Sequence, residues 1–177
     1  MKKILLVLAV LVLFGGAVSA QEEQGPIRLD FSSGLYYDAY PMEDMGGFEI
    51  IAALFNLRVG GLVGLGFNIG EAITVGGEVG ALAMYWSDNS GSYSILFDLP
   101  VHAYADVHLG EAVALRVYGG GIGLGYWTNS FFLGFAPEVG ARASLGGLYV
   151  EAAYVLSAEP FYRYGIGFTA NAFSDEE

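Results

Sequence analysis

His102 and His108 lie with Asp98, Asp106 and Tyr104 in the stretch 93–109. Histidine beside a carboxylate is the pairing that general acid–base and nucleophilic catalysis use. Spacing decides whether these groups meet. The stretch alternates strictly, with Tyr93, Ile95, Phe97, Leu99, Val101, Ala103, Ala105, Val107 and Leu109 on one face. That is the pattern of a strand. Positions four apart on one strand face are about 13 Å apart, so Asp98 does not reach His102 along the chain. Ser94, the candidate nucleophile nearest in sequence on the histidines' face, is about 26 Å from His102 by the same rise. No serine elbow, phosphate-binding glycine loop, His-Glu-x-x-His or calcium loop is present. The absence of cysteine excludes disulfides, thiolate metal sites and haem thioether attachment. We therefore expect no catalytic set, no metal and no cofactor. An enzyme acting on lipid through His102 with Asp98 or Asp106 is the one catalytic reading left.

The element carrying these residues is one of several alike. Ile27, Leu29, Phe31, Ser33, Leu35, Tyr37 and Ala39 oppose Arg28, Asp30, Ser32, Gly34, Tyr36 and Asp38. From Ile51 to Ile69 every odd position is apolar or glycine, and Tyr162, Tyr164, Ile166, Phe168 and Ala170 repeat the pattern near the end. One face is large and greasy, and the other is glycine, small polar and charged. A soluble barrel encloses its bulky face and wets the other. Long aromatic-rich faces set against glycine-rich ones fit the opposite arrangement, with lipid outside and a narrow lumen inside.

Residues 1–20, MKKILLVLAVLVLFGGAVSA, join a basic start, an apolar run from Ile4 to Phe14, and small residues before Gln21. This is the layout of a secretory signal peptide cleaved after Ala20, and the apolar run is too short to span a bilayer as a helix. The expected organisation is a signal peptide at 1–20, a periplasmic lead at 21–26, a barrel at 27–173 and an acidic tail at 174–177. The chain is 54% hydrophobic and 15% charged, with 27 glycines and mean hydropathy of +0.49. Beyond Ala20 no stretch is apolar for the length a spanning helix needs. The net charge is −12, and losing Lys2 and Lys3 leaves five arginines against nineteen acids, or −14. That balance excludes nucleic acid as a partner.

Three connections resemble one another: Asn68-Ile69-Gly70-Glu71-Ala72, His108-Leu109-Gly110-Glu111-Ala112 and Ser144-Leu145-Gly146-Gly147-Leu148. Polar loops separate them at 41–47, 87–92, 128–130 and 157–160. Together they predict an all-β, eight-stranded, antiparallel up-and-down transmembrane barrel with both termini periplasmic. The expected strands are 27–40, 48–69, 72–86, 93–109, 112–127, 131–145, 148–156 and 161–173. Gly60-Gly61 could hide a turn, but the apolar parity runs through it. At Gly119-Gly120-Gly121 the greasy positions change from odd to even, which predicts a glycine bulge.

Parity places all five arginines inside: Arg28, Arg58, Arg116, Arg142 and Arg163. Asp30, Asp38, Glu78, Asp98, His102, Asp106, Glu138 and Glu151 share that side. Ionised groups in a narrow interior are tolerable when paired, so we expect an arginine–carboxylate network closing the lumen. Toward the polar loops the inward positions turn apolar: Tyr36, Tyr40, Ile50, Leu54, Leu82, Met84, Trp86, Leu96, Phe132 and Phe161. They form either a pocket for a small hydrophobic ligand or a core packed on itself.

The final strand, Arg163-Tyr164-Gly165-Ile166-Gly167-Phe168-Thr169-Ala170, is similar to the assembly signal of bacterial outer-membrane barrels. Its signal positions are Arg163, Gly165, Phe168 and Ala170. With the alternation and the leader, the chain resembles the small eight-stranded group of the OmpA transmembrane domain, OmpX and OmpW. The resemblance implies insertion into outer-membrane lipid by the barrel assembly machinery, as a monomer. It implies envelope integrity or surface interaction, or an OmpW-like passage for small hydrophobic compounds.

Overall fold

The computed structural model describes residues 26–39, 56–87, 93–110, 112–127 and 130–172. They form eight strands: β1 (Ile27–Ala39), β2 (Leu57–Ile69), β3 (Ile73–Ser87), β4 (Tyr93–His108), β5 (Val113–Trp127), β6 (Phe131–Leu145), β7 (Leu148–Val155) and β8 (Phe161–Ala172). Each pairs antiparallel with the next, and β8 closes onto β1, so the sheet is a closed barrel. The signal peptide, the lead up to Gly25, the tail and residues 48–55 of the second expected strand lie outside the described residues. So do Tyr40, Ile50 and Leu54, and the side chain of Trp86. From Leu57 onward β2 passes through Gly60-Gly61 without a turn.

The short connections work through glycine. Gly146 and Gly147 have φ of 56° and 87°. Two successive positive φ values make the hairpin turn whose twist matches that of its strands. These connections share one rim with the start of β1 and the end of β8, where Leu29 faces Ala172.

The registers stagger by ten residues in one circuit of the barrel. For eight strands this corresponds to a tilt of about 40° and an interior that side chains fill. An even stagger keeps one parity inside all the way round.

The expected bulge is absent. β5 keeps one register with β4 and with β6 through Gly119, Gly120 and Gly121. Ile122 therefore points inward and is 0% exposed, packed with Ala136, Val155 and Phe161. The greasy residues shift parity there because the upper interior is itself apolar, so hydrophobicity stops marking the outer face. The outward positions are taken by Gly119, Gly121, Gly123 and Gly125.

β7 is short, and Pro137 on β6 explains where its pairing stops. The ladder runs from Leu145↔Leu148 to Glu138↔Val155, and Leu156 N–H then donates to Pro137 O at 2.9 Å. Proline has no N–H to continue it. Phe131–Pro137 thus pairs with β5 on one side and, among the described residues, has no strand partner on the other.

Candidate functional site: the charged interior

Every charged residue on the described strands points inward and is buried. The contacts form two tiers. Nearer the short connections, Arg116 is the hub. Its Nε donates to Asp106 Oδ1 at 2.7 Å, its Nη1 to Glu78 Oε2 at 2.6 Å and its Nη2 to Asp30 Oδ2 at 2.7 Å. Its guanidinium lies 3.6 Å from the centre of the Tyr104 ring. Arg28 pairs with Asp30 and reaches Asp106 at 3.3 Å. Arg142 holds Glu151 through Nε at 2.7 Å and donates to Ser32 Oγ at 3.2 Å.

In the second tier, toward the polar loops, two arginines face two aspartates. Arg163 donates to Asp38 at 2.7 and 3.0 Å and to Asp98 at 2.6 Å. Arg58 lies 2.5 Å from the same Asp38 and 2.7 Å from the same Asp98. His102 stands between the tiers, with Nδ1 3.1 Å from Glu78 Oε1 and Nε2 3.0 Å from Glu138 Oε2.

Four tyrosines complete the filling, and inward glycines make room for them. A Cβ on Gly76 would lie 2.7 Å from Tyr104 Cζ, and one on Gly165 would lie 2.9 Å from Tyr36 Cδ1. The freed rings turn their hydroxyls to the charges: Tyr104 donates to Asp30 at 3.1 Å and Tyr118 to Glu151 at 2.8 Å. Tyr36 and Tyr149 share a hydrogen bond of 2.7 Å. Sequence parity puts Tyr104, Tyr118 and Tyr149 inside. Alternation does not mark their part in the network, although each faces a glycine on a neighbouring strand.

Of the residues grouped as a pocket, Tyr36 and Leu82 sit lower, in a closed cluster with Leu62 and Tyr149. Phe161 belongs to the cluster of Ile122, Ala136 and Val155, with Leu124 against it. Met84 and Leu96 are half-buried. Phe132 has inward parity but is 65% exposed at the rim. In the assembly-signal strand, Arg163 and Gly165 face the lumen, and Phe168 faces out.

The chemistry open to this interior is narrow. Asp98 and Asp106 are each held by two arginines, and His102 contacts glutamates rather than a hydroxyl. His108 Nε2 lies 2.9 Å from Thr74 Oγ1 and 3.2 Å from Arg28 Nη1, while Thr74 donates to Asn68 at 2.7 Å. Among the described residues no three His, Asp or Glu side chains are grouped to hold a metal.

No protein-family model and no curated protein sequence matches the chain. Solved structures do. The barrel is similar to Ail, the attachment invasion locus protein of Yersinia pestis, in complex with the heparin analogue sucrose octasulfate. The TM-score is 0.50 at 11% identity, over 83% of this chain and 99% of that one. The Yersinia pestis outer membrane protein Ail in a phospholipid bilayer nanodisc gives 0.48 at 13% identity, over 82% and 99%. A de novo designed transmembrane β-barrel gives 0.39 at 12% identity, over 85% and 100%. At these identities the likeness is one of fold: a closed, all-antiparallel barrel of eight strands.

Proposed function

We propose that this protein is an outer-membrane barrel that keeps its lumen shut and acts at its rim, in envelope integrity or attachment, rather than as a passage. One observation carries the reading. No outward-facing strand residue among those described is charged, whereas all twelve strand arginines and carboxylates lie inside in ion pairs. A wall of that kind suits hydrocarbon, where an outward charge costs about 2–4 kcal/mol at mid-bilayer. Both termini then lie in the periplasm, and β8 is the strand offered to the assembly machinery.

The rim has a feature suited to attachment. Along Phe131–Pro137 the carbonyls and amides of alternate residues point away from β5, as Pro137 O does. Such an edge binds an extended segment of another protein by adding a strand. Phe131 and Phe135 flank it, the latter 80% exposed. The sulfated ligand crystallised with Ail is not carried over. All five arginines here are buried in the lumen and the only lysines are Lys2 and Lys3, so a polyanion would meet no arginine or lysine on the barrel surface.

The test is refolding in detergent, comparing gel mobility of unheated and boiled protein, followed by planar-bilayer recording. A mobility shift with no conductance steps is the expected result. A β-rich protein soluble in plain buffer with no shift would overturn the membrane reading, and discrete conductance would overturn the closed lumen.

A second reading rests on Met84, Leu96 and Leu124, which stay only partly buried above the upper tier. They suit a small hydrophobic compound. Leu96→Asp should then abolish binding of a fluorescent naphthylamine probe to the assembled barrel; unchanged binding removes this reading.

A further inference from the structure

Among the described residues, His102 is a lumen group whose contacts on both ring nitrogens set a proton count. Both of its ring nitrogens face a carboxylate oxygen, Glu78 Oε1 at 3.1 Å and Glu138 Oε2 at 3.0 Å, and both glutamates are buried. An ionised carboxylate only accepts hydrogen bonds, and a neutral imidazole has one N–H and one lone pair. A neutral ring between two ionised glutamates would therefore set lone pair against lone pair at one contact, away from water that could relieve it. Both contacts become hydrogen bonds when the three side chains share one further proton. We infer that Glu78, His102 and Glu138 form a proton-binding site, and that the bound proton is the latch joining the two tiers of ion pairs.

The groups packed round the ring support a shared proton at this place. From β3, the far oxygen of Glu78 is held by Arg116 of β5 at 2.6 Å and approached by Arg142 of β6 at 3.5 Å. From β6, the far oxygen of Glu138 is 3.8 Å from Arg163 of β8. From β5, the Tyr118 ring stacks on the imidazole at 4.5 Å, and its hydroxyl is given to Glu151 of β7. The arginines thus face the outer sides of both glutamates and leave the inner oxygens to His102. Glu78 belongs to the lower tier and Glu138 to the upper. Losing the proton would leave two carboxylates facing one ring with a single donor between them, and the tiers would part there.

The decisive measurement is NMR of the His102 ring nitrogens together with the side-chain carboxyl carbons of Glu78 and Glu138, in the wild-type barrel refolded in micelles at about pH 8. A free imidazole, with a pKa of about 6.5, is then mostly neutral. Two proton-bearing ring nitrogens, or one bare nitrogen with a protonated Glu78 or Glu138, are the expected results. One bare nitrogen with both carboxylates ionised would overturn the site. The latch is read from the temperature of the gel-mobility shift. In wild type it should fall as pH is raised from about 6 to 10, and His102→Gln should lose at least half of that fall. Equal falls in the two proteins would overturn the latch. If His102→Gln fails to fold, Glu138→Gln supplies the comparison: it too should lose at least half of the fall, and an undiminished fall would overturn the latch.

Discussion

Arg116 shows how far a single lumen residue is committed. Three carboxylates, Asp30, Glu78 and Asp106, converge on its guanidinium, and Tyr104 covers its face. Breaking a buried pair by removing one partner leaves uncompensated charge, at a cost of about 3–5 kcal/mol. Arg116→Ala should destabilise the refolded barrel by about that amount in urea titrations in detergent. Arg116→Lys should recover only part, because an ammonium cannot present the planar fork that meets three acids at once. Loss under 1 kcal/mol in the alanine variant would show that the acids are relieved some other way. Inward parity alone marks all five arginines and the acids that face them. The particular partners are not legible in the chain: Arg28 and Asp30 are two residues apart, whereas Arg163 meets Asp38 across 125 positions.

At the scale of strands, the alternation locates seven of the eight to within a residue or two, and the second from Leu57 onward. What the alternation misplaces is the glycine run on β5, where an apolar interior imitates a change of face. The free edge of β6 depends on β7 ending early, which a proline on the neighbouring strand arranges. This edge makes a prediction that needs no partner. Amides of Leu133 and Phe135 point away from β5, and those of Gly134 and Ala136 toward it. Hydrogen exchange in the folded barrel should be at least tenfold faster at the first pair, in a period of two along the strand. Equal protection of both pairs would mean that the edge is covered, and attachment through it would be ruled out.

Across the whole molecule the outer wall decides the solvent. Val101 stands near mid-barrel, opposite Val79 and Gly121, and is 57% exposed. Val101→Arg should cost about 2–4 kcal/mol for folding into lipid vesicles. A neutral effect there would contradict a lipid-facing wall. Strand count, antiparallel order and the inward set of charges follow from the chain itself, because a period of two is local and a one-residue slip would turn every charge outward. Glycines at the short connections add the hairpins, again locally. Only closure of the sheet decides the rest. The ten-residue stagger sets which heights face each other across the lumen, and so makes Arg116 a hub and places His102 between Glu78 and Glu138. It lays tyrosine rings over glycines of other strands and turns Ile122 inward. Such contacts join residues tens of positions apart, so they exist only once the eight registers are summed around the barrel.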